Sequence, residues 1–120
     1  MNKSNFKNLK VWQKSMELVS DVYILVRFLP REEMYALSDQ IRRAAISIPS
    51  NIAEGHGRDS NREFIRFLSI SRGSLFELET QLEIGLRLGY FDSSKLEGTT
   101  EKISEIRKMI NSLITYRESI

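Results

Sequence analysis

The sequence predicts an all-α protein built as an antiparallel, up-down-up-down four-helix bundle. Apolar residues recur at intervals of three and four in four long segments, the spacing of an amphipathic helix. The 120 residues include only two prolines and six glycines, too few for the many turns of a β-sandwich or barrel. Short connections make neighbouring helices antiparallel, and the length fits a single domain over residues 1–120.

The first segment, about residues 8–29, contains two adjacent apolar stripes. The stripe with heptad spacing consists of Leu9, Trp12, Met16, Val19, Tyr23 and Val26. The stripe beside it consists of Val11, Leu18, Val22, Leu25 and Leu29. One stripe is enough for a helix at the edge of a small bundle. The second therefore indicates either a subunit interface or a helix that is central to its own core.

The second segment, about residues 31–55, follows Pro30 and contains Pro49. Because the apolar spacing continues from Ile48 to Ile52, we predict one helix kinked at Pro49 rather than two helices. The glycines at 55 and 57 are typical of a helix C-cap.

The last two segments have recognisable ends. Ser60 and Glu63 match a capping box at the start of the third segment, about residues 61–88, and Gly89 stops it. Asp92 or Ser93 can cap the fourth segment, about residues 94–119.

Composition excludes several kinds of chemistry. The chain has no cysteine and one histidine, which excludes a disulfide scaffold, a thiolate zinc site, a cysteine nucleophile and a multi-histidine metal site in one chain. We therefore expect no enzymatic activity, metal or cofactor. No signal-like or membrane-spanning apolar run is present, so we expect a cytoplasmic protein with no membrane partner. The net charge of +2 is far below that of a strongly basic DNA-binding protein.

One polar cluster stands out in the second segment. Ser47, Asn51 and Glu54 fall on one helical face. They could form a site in which Glu54 acts as a base or ligand. In the structural interpretation, which we prefer, Ser47 and Asn51 satisfy backbone groups loosened by Pro49, and Glu54 pairs with an arginine.

Five arginines form the more credible candidate site, a nucleic-acid-binding face. These are Arg42, Arg43, Arg58, Arg62 and Arg66. The last two project from one face near the start of the third helix, where backbone amides also favour phosphate. The alternative is ordinary surface charge, partly neutralised by Asp59 and Glu63.

Several runs resemble a known family. These are SIPSNIAEG at 47–55, QIRRAA at 40–45, EFIRFL at 63–68 and GSLFELETQ at 73–81. Together they resemble the bacterial four-helix bundle proteins encoded in intervening sequences of 23S rRNA genes. The chain is also similar to the accessory variability protein of diversity-generating retroelements, a pentameric barrel that binds nucleic acid and the reverse transcriptase. The resemblance implies a four-helix bundle that assembles as a homopentamer, and it defines no catalytic residues.

Taken with the arginines, the resemblance leads us to expect a non-catalytic oligomeric protein that binds structured RNA or another nucleic acid through an Arg/Lys face. The alternative is a protein-interaction scaffold with no nucleic-acid role.

Overall fold

A computed structural model describes residues 5–120 and places four α-helices in them. These are α1 (Lys10–Leu25), α2 (Leu37–His56), α3 (Asn61–Arg87) and α4 (Ser93–Glu118). Short 3-10 turns occupy Phe6–Asn8, Val26–Phe28 and Arg31–Glu33. No strand occurs within residues 5–120, which confirms the predicted all-α class.

The four helices form an elongated bundle of 49 × 22 × 20 Å. Each helix packs against the two beside it, with α1 closing the bundle against α4 and with α2 and α3 sharing the largest interface. The core runs along the centre, where Leu18, Ile48, Leu75 and Ile106, one from each helix, are fully buried. This is the predicted up-down-up-down arrangement.

The two stripes of α1 take unequal roles. Val11, Leu18, Val22 and Leu25 are buried in the bundle core. In the heptad stripe, Val26 is buried and Leu9, Trp12 and Val19 are partly buried against the same core, while Met16 and Tyr23 remain 43% and 41% exposed. The core of one chain therefore covers one stripe fully and the other in part, and Met16 and Tyr23 are the exposed members of the second.

Helix α2 starts later than the sequence predicts. Extended backbone at Pro30 and a 3-10 turn precede it, and its first residue is Leu37 rather than Arg31. The Glu33 carboxylate accepts a hydrogen bond from the Leu37 amide at 3.2 Å and another from the Tyr90 hydroxyl at 2.8 Å. By accepting both hydrogen bonds, the Glu33 carboxylate keeps the 3-10 turn Arg31–Glu33 separate from α2. Farther along, α2 continues through Pro49 as a single helix, as predicted, although Pro49 has no N–H to donate to the Ala45 carbonyl.

The helix ends partly match the predicted caps. The Ser60 hydroxyl accepts the Glu63 amide at 3.2 Å, and the Asp92 carboxylate caps α4 by accepting the Lys95 amide at 3.0 Å. Gly57, predicted as part of a glycine cap, keeps a right-handed φ of −77°. It is Gly89, after α3, that adopts the left-handed conformation at φ +82°.

Gly55 serves packing instead of capping. A Cβ atom placed there would lie 2.5 Å from the Cβ of Phe67 on α3. The absence of a side chain therefore lets the end of α2 approach α3 closely.

Among residues 5–120, no helix is both long enough and apolar enough to cross a bilayer.

Candidate nucleic-acid interface

One end of the bundle collects the start of α1, the ends of α2 and α4, and the start of α3. The guanidinium of Arg117 near the end of α4 donates to the Asn61 side chain at the start of α3, at 2.7 Å. The turn Phe6–Asn8 before α1 contacts α2. We call this the basic end and define it as residues 5–14, 54–66 and 108–120.

The basic end concentrates the positive charge of the chain. It contains eight lysines and arginines and only four acidic residues, a net charge of +4. The other described residues, 15–53 and 67–107, carry nine basic and twelve acidic side chains, a net charge of −3. A small overall charge of +2 therefore conceals a strong separation of charge along the bundle.

Two of the predicted arginines, Arg58 and Arg66, lie against the same aromatic ring. Their guanidinium carbons are 5.0 and 4.6 Å from the centroid of Phe67. Arg58 also pairs with Glu54 at 2.8 Å, and Arg66 with Glu63 at 3.1 Å. Ring and carboxylate together restrict each guanidinium to a narrow range of orientations.

Glu63 therefore does not complete the capping box as predicted, because its carboxylate turns to Arg66. Hydrogen bonding from Arg66 lowers the pKa of Glu63, and the same bond raises the pKa of Arg66. Both groups are ionised at neutral pH. Since Glu63 and Arg66 are solvent-exposed, this pair orients the arginine more than it stabilises the fold.

Other cations of the basic end have no carboxylate partner among residues 5–120. These are Lys7, Lys10, Arg62, Lys108 and Arg117. Arg62 is exposed in the first turn of α3, where the helix dipole adds to its positive potential. It is the predicted arginine most available to an external anion.

Arg117 and His56 both pack against Phe64 within the basic end. The Arg117 guanidinium lies 4.8 Å from the centroid of Phe64, and the His56 ring meets the same Phe64 edge-on at 5.6 Å. Partial burial, with a smaller effect from Arg117, lowers the pKa of His56. The lowered pKa favours the neutral imidazole, so His56 contributes little to the charge of this end.

Arg42 and Arg43 do not join the other three arginines. Both lie near the start of α2, thirteen or fourteen residues before its end, which at 1.5 Å per residue is roughly 20 Å along the axis. Arg43 pairs with Asp39 at 3.0 Å, and Arg42 donates to the Met34 carbonyl at 3.4 Å. The structure thus divides the predicted face into two separate groups.

The predicted polar cluster is also only partly assembled. The Asn51 amide donates to the Ser47 carbonyl at 2.8 Å and to its hydroxyl at 2.9 Å, and Ser47 shares a 2.8 Å hydrogen bond with Ser74 on α3. Glu54 stands apart, exposed and paired with Arg58. Ser47 and Asn51 thus join α2 to α3 through Ser74. The backbone acceptor of Asn51 is the Ser47 carbonyl and not the Ala45 carbonyl that Pro49 leaves without a donor, so only the pairing of Glu54 with an arginine matches the structural interpretation.

Because Asn51 belongs to the cluster and Glu54 does not, substituting them should lower the free energy of unfolding by different amounts. Asn51→Ala should lower the free energy of unfolding by about 1 kcal/mol, because it removes two half-buried hydrogen bonds. Glu54→Gln should change it by less than about 0.5 kcal/mol, because an exposed ion pair within one helix contributes little. Urea denaturation of both variants measures the difference. Equal losses would mean that Glu54 belongs to the cluster after all.

Sequence reasoning missed Lys108 and Arg117, which come from the far end of the chain. It also missed the role of Phe64 and Phe67 as supports for the guanidinium groups. The available signal was the alternation of phenylalanine and arginine in the run 62–67, combined with the antiparallel return of α4.

Comparison with known proteins identifies the family. The profile described as 23S rRNA-intervening sequence protein matches residues 7–112. The chain belongs to this family. The match includes α1, α2, α3 and most of α4, and it confirms the resemblance carried by the sequence runs at 40–55 and 63–81.

A solved structure supports the family's fold for this chain. The crystal structure of a protein of unknown function from the S23 ribosomal protein family of Bacteroides thetaiotaomicron is 32% identical. The alignment covers 87% of this chain and 97% of that one, with a TM-score of 0.80. No curated protein matches the sequence. Family membership therefore establishes the fold, whereas the function has to be inferred from the site.

Proposed function

We propose that this protein is a non-catalytic, oligomeric bundle of the cytoplasm that binds structured RNA or another nucleic acid through its basic end. The observation that carries the proposal is the excess of cations there that lack a carboxylate partner within residues 5–120, the exposed Arg62 among them. Separate positive charges spread over a surface suit the repeated phosphodiester groups of a nucleic acid.

The rigid arginines support the same function. Arg58 and Arg66 are held by Phe67 and by a carboxylate each. Because their orientations are already restricted, fewer rotamers are lost when a phosphate binds. Their partners Glu54 and Glu63 reduce the net attraction, so the unpaired cations supply most of it.

An apolar groove between α1 and α2 supports the oligomeric part of the proposal. It has a volume of about 350 Å³ and includes Trp12, Met16, Val19, Ile46 and Pro49. Met16 and Ile46 are more than 40% exposed. A contiguous apolar surface of this kind is a common subunit interface, and the family resemblance favours a homopentamer.

The mass in solution tests the assembly. One chain has a mass of 14.0 kDa, and light scattering should give a multiple of it, five being the expected number. Met16→Glu should reduce that mass by placing a charge on the groove. A 14.0 kDa particle for the unaltered protein would contradict the oligomer.

A salt series tests nucleic-acid binding. If four unpaired cations contact phosphates, the logarithm of affinity for an rRNA fragment should fall with the logarithm of salt at a slope of about −3 to −4. Filter binding from about 50 to 200 mM salt measures this slope. Absence of binding at the lowest salt would contradict the proposal.

The same apolar groove favours a second candidate function, a scaffold for another protein. A pull-down from nuclease-treated bacterial lysate distinguishes the two, because a protein partner remains after the nucleic acid has been removed. Loss of that partner in Met16→Glu, with RNA binding absent throughout, would favour the scaffold.

A further inference from the structure

A second groove lies within the basic end, between the start of α1 and the last turns of α4. Its volume is about 490 Å³, and its apolar floor includes Val11, Met109 and Leu113. Tyr116 borders it and is 59% exposed. The groove therefore offers an apolar surface and an aromatic ring within the basic end, where the charge of the chain is most positive.

The charges of this groove have one sign. Lys10 and Lys108 line it, both are exposed, and neither pairs with a carboxylate among residues 5–120. No aspartate or glutamate belongs to the lining. The hydroxyl of Ser112 adds one group that can donate or accept a hydrogen bond.

This combination fits an unpaired nucleotide. A base stacks on an aromatic ring and covers apolar surface, while its flanking phosphates attract lysines. In a duplex the bases are stacked on each other, so only phosphates would reach the groove and the apolar floor would stay uncovered.

A second copy of the chain in a two-fold contact would fit the groove less well. In a two-fold contact each copy presents the same surface to the other. Lys10 and Lys108 would then face the same lysines of the second copy without an acidic residue in either lining. Such contacts between like charges are unfavourable. In the cyclic pentamer proposed above, neighbouring subunits meet through two different surfaces; a neighbour that covered this groove would be detected as a change of mass in the Tyr116→Ala variant.

We propose that the α1–α4 groove binds an unpaired base of an RNA loop, with Tyr116 as the stacking surface and Lys10 and Lys108 as the phosphate contacts. This inference rests on the proposed function. It adds that the basic end distinguishes unpaired from paired RNA.

The test compares two RNAs with equal numbers of phosphates, a hairpin with an unpaired loop and a blunt duplex. Fluorescence anisotropy at about 50 mM salt gives both affinities. Tyr116→Ala should weaken hairpin binding by about 5- to 150-fold, the equivalent of one stacked base, and leave duplex binding unchanged. Tyr116→Phe keeps the ring and should retain most of the hairpin affinity.

Tyr35→Ala is the matched control. Tyr35 is 90% exposed and precedes α2 at the opposite end of the bundle, so its loss should affect neither RNA. Both tyrosines are on the surface, and circular dichroism should show unchanged helix content in each variant. In addition, an iodouracil placed in the loop should photocrosslink to the protein at or beside Tyr116.

Failure of this inference differs from failure of the proposed function. Equal salt-dependent binding of hairpin and duplex, unaffected by Tyr116→Ala, would overturn the groove as a base site and leave the basic end as a phosphate-binding surface. Absence of binding to both RNAs would overturn both proposals. A change of mass on Tyr116→Ala would overturn the inference by showing that another copy of the chain covers the groove.

Discussion

Gly55→Val is expected to destabilise the bundle by about 3 kcal/mol, a large part of the stability of a small domain. The added Cβ would lie 2.5 Å from the Phe67 Cβ and 3.1 Å from the Phe64 ring. Both obstacles belong to α3, so relief requires α2 and α3 to move apart along their interface, the largest in the bundle. Thermal denaturation should show a midpoint lowered by on the order of 10 °C.

Gly73→Ala provides the matched control. Gly73 lies within α3, and a Cβ atom there would have nothing within 4 Å. Alanine should therefore stabilise the protein by about 0.5–1 kcal/mol, through the smaller entropy lost when the helix forms. A similar gain at Gly55 would show that α2 and α3 do not approach as closely as described.

Arg62→Glu is expected to weaken RNA binding by about tenfold or more at about 50 mM salt, if the basic end binds phosphate as proposed. The substitution removes a cation without a carboxylate partner and places a negative charge in the first turn of α3. The salt slope should become shallower by about 1. Filter binding over the same salt series measures both quantities.

Arg43→Glu separates position from charge. It makes the same change in net charge as Arg62→Glu, but near the start of α2 and away from the basic end. Arg43 is exposed there and pairs with Asp39. RNA affinity should change little. Equal weakening by Arg43→Glu and Arg62→Glu would mean that binding follows the total charge and not the basic end.

The fold was predictable because it follows from local patterns. Apolar spacing, the serine at the start of α3 and the glycine after it specify helices within a few residues of their observed ends. The continuation of α2 through Pro49 was predictable for the same reason, since Ile48 and Ile52 share one face on either side of it.

Features that depend on contacts between helices were not predictable from spacing. The more regular stripe of α1 is only partly covered, with Met16 and Tyr23 exposed, because the positions of α2 and α4 decide which side is buried. Glu33 holds the turn before α2 outside the helix through Tyr90, a residue 57 positions later. The five predicted arginines fall into two groups for a similar reason. Arg42 and Arg43 lie near the start of α2 and the other three lie beyond its end, and the two ends of this helix lie at opposite ends of the bundle.

The separation of charge along the bundle changes how the net charge should be interpreted. At about 0.1 M salt an electric field decays over about 10 Å, whereas the molecule is 49 Å long. A polyanion near the basic end therefore experiences that end alone, and the acidic remainder is screened. The permanent dipole should also rotate the molecule before contact, so that it arrives with its long axis directed at the polyanion. Electrostatic steering of this kind would make the association rate, and not only the affinity, fall as salt rises.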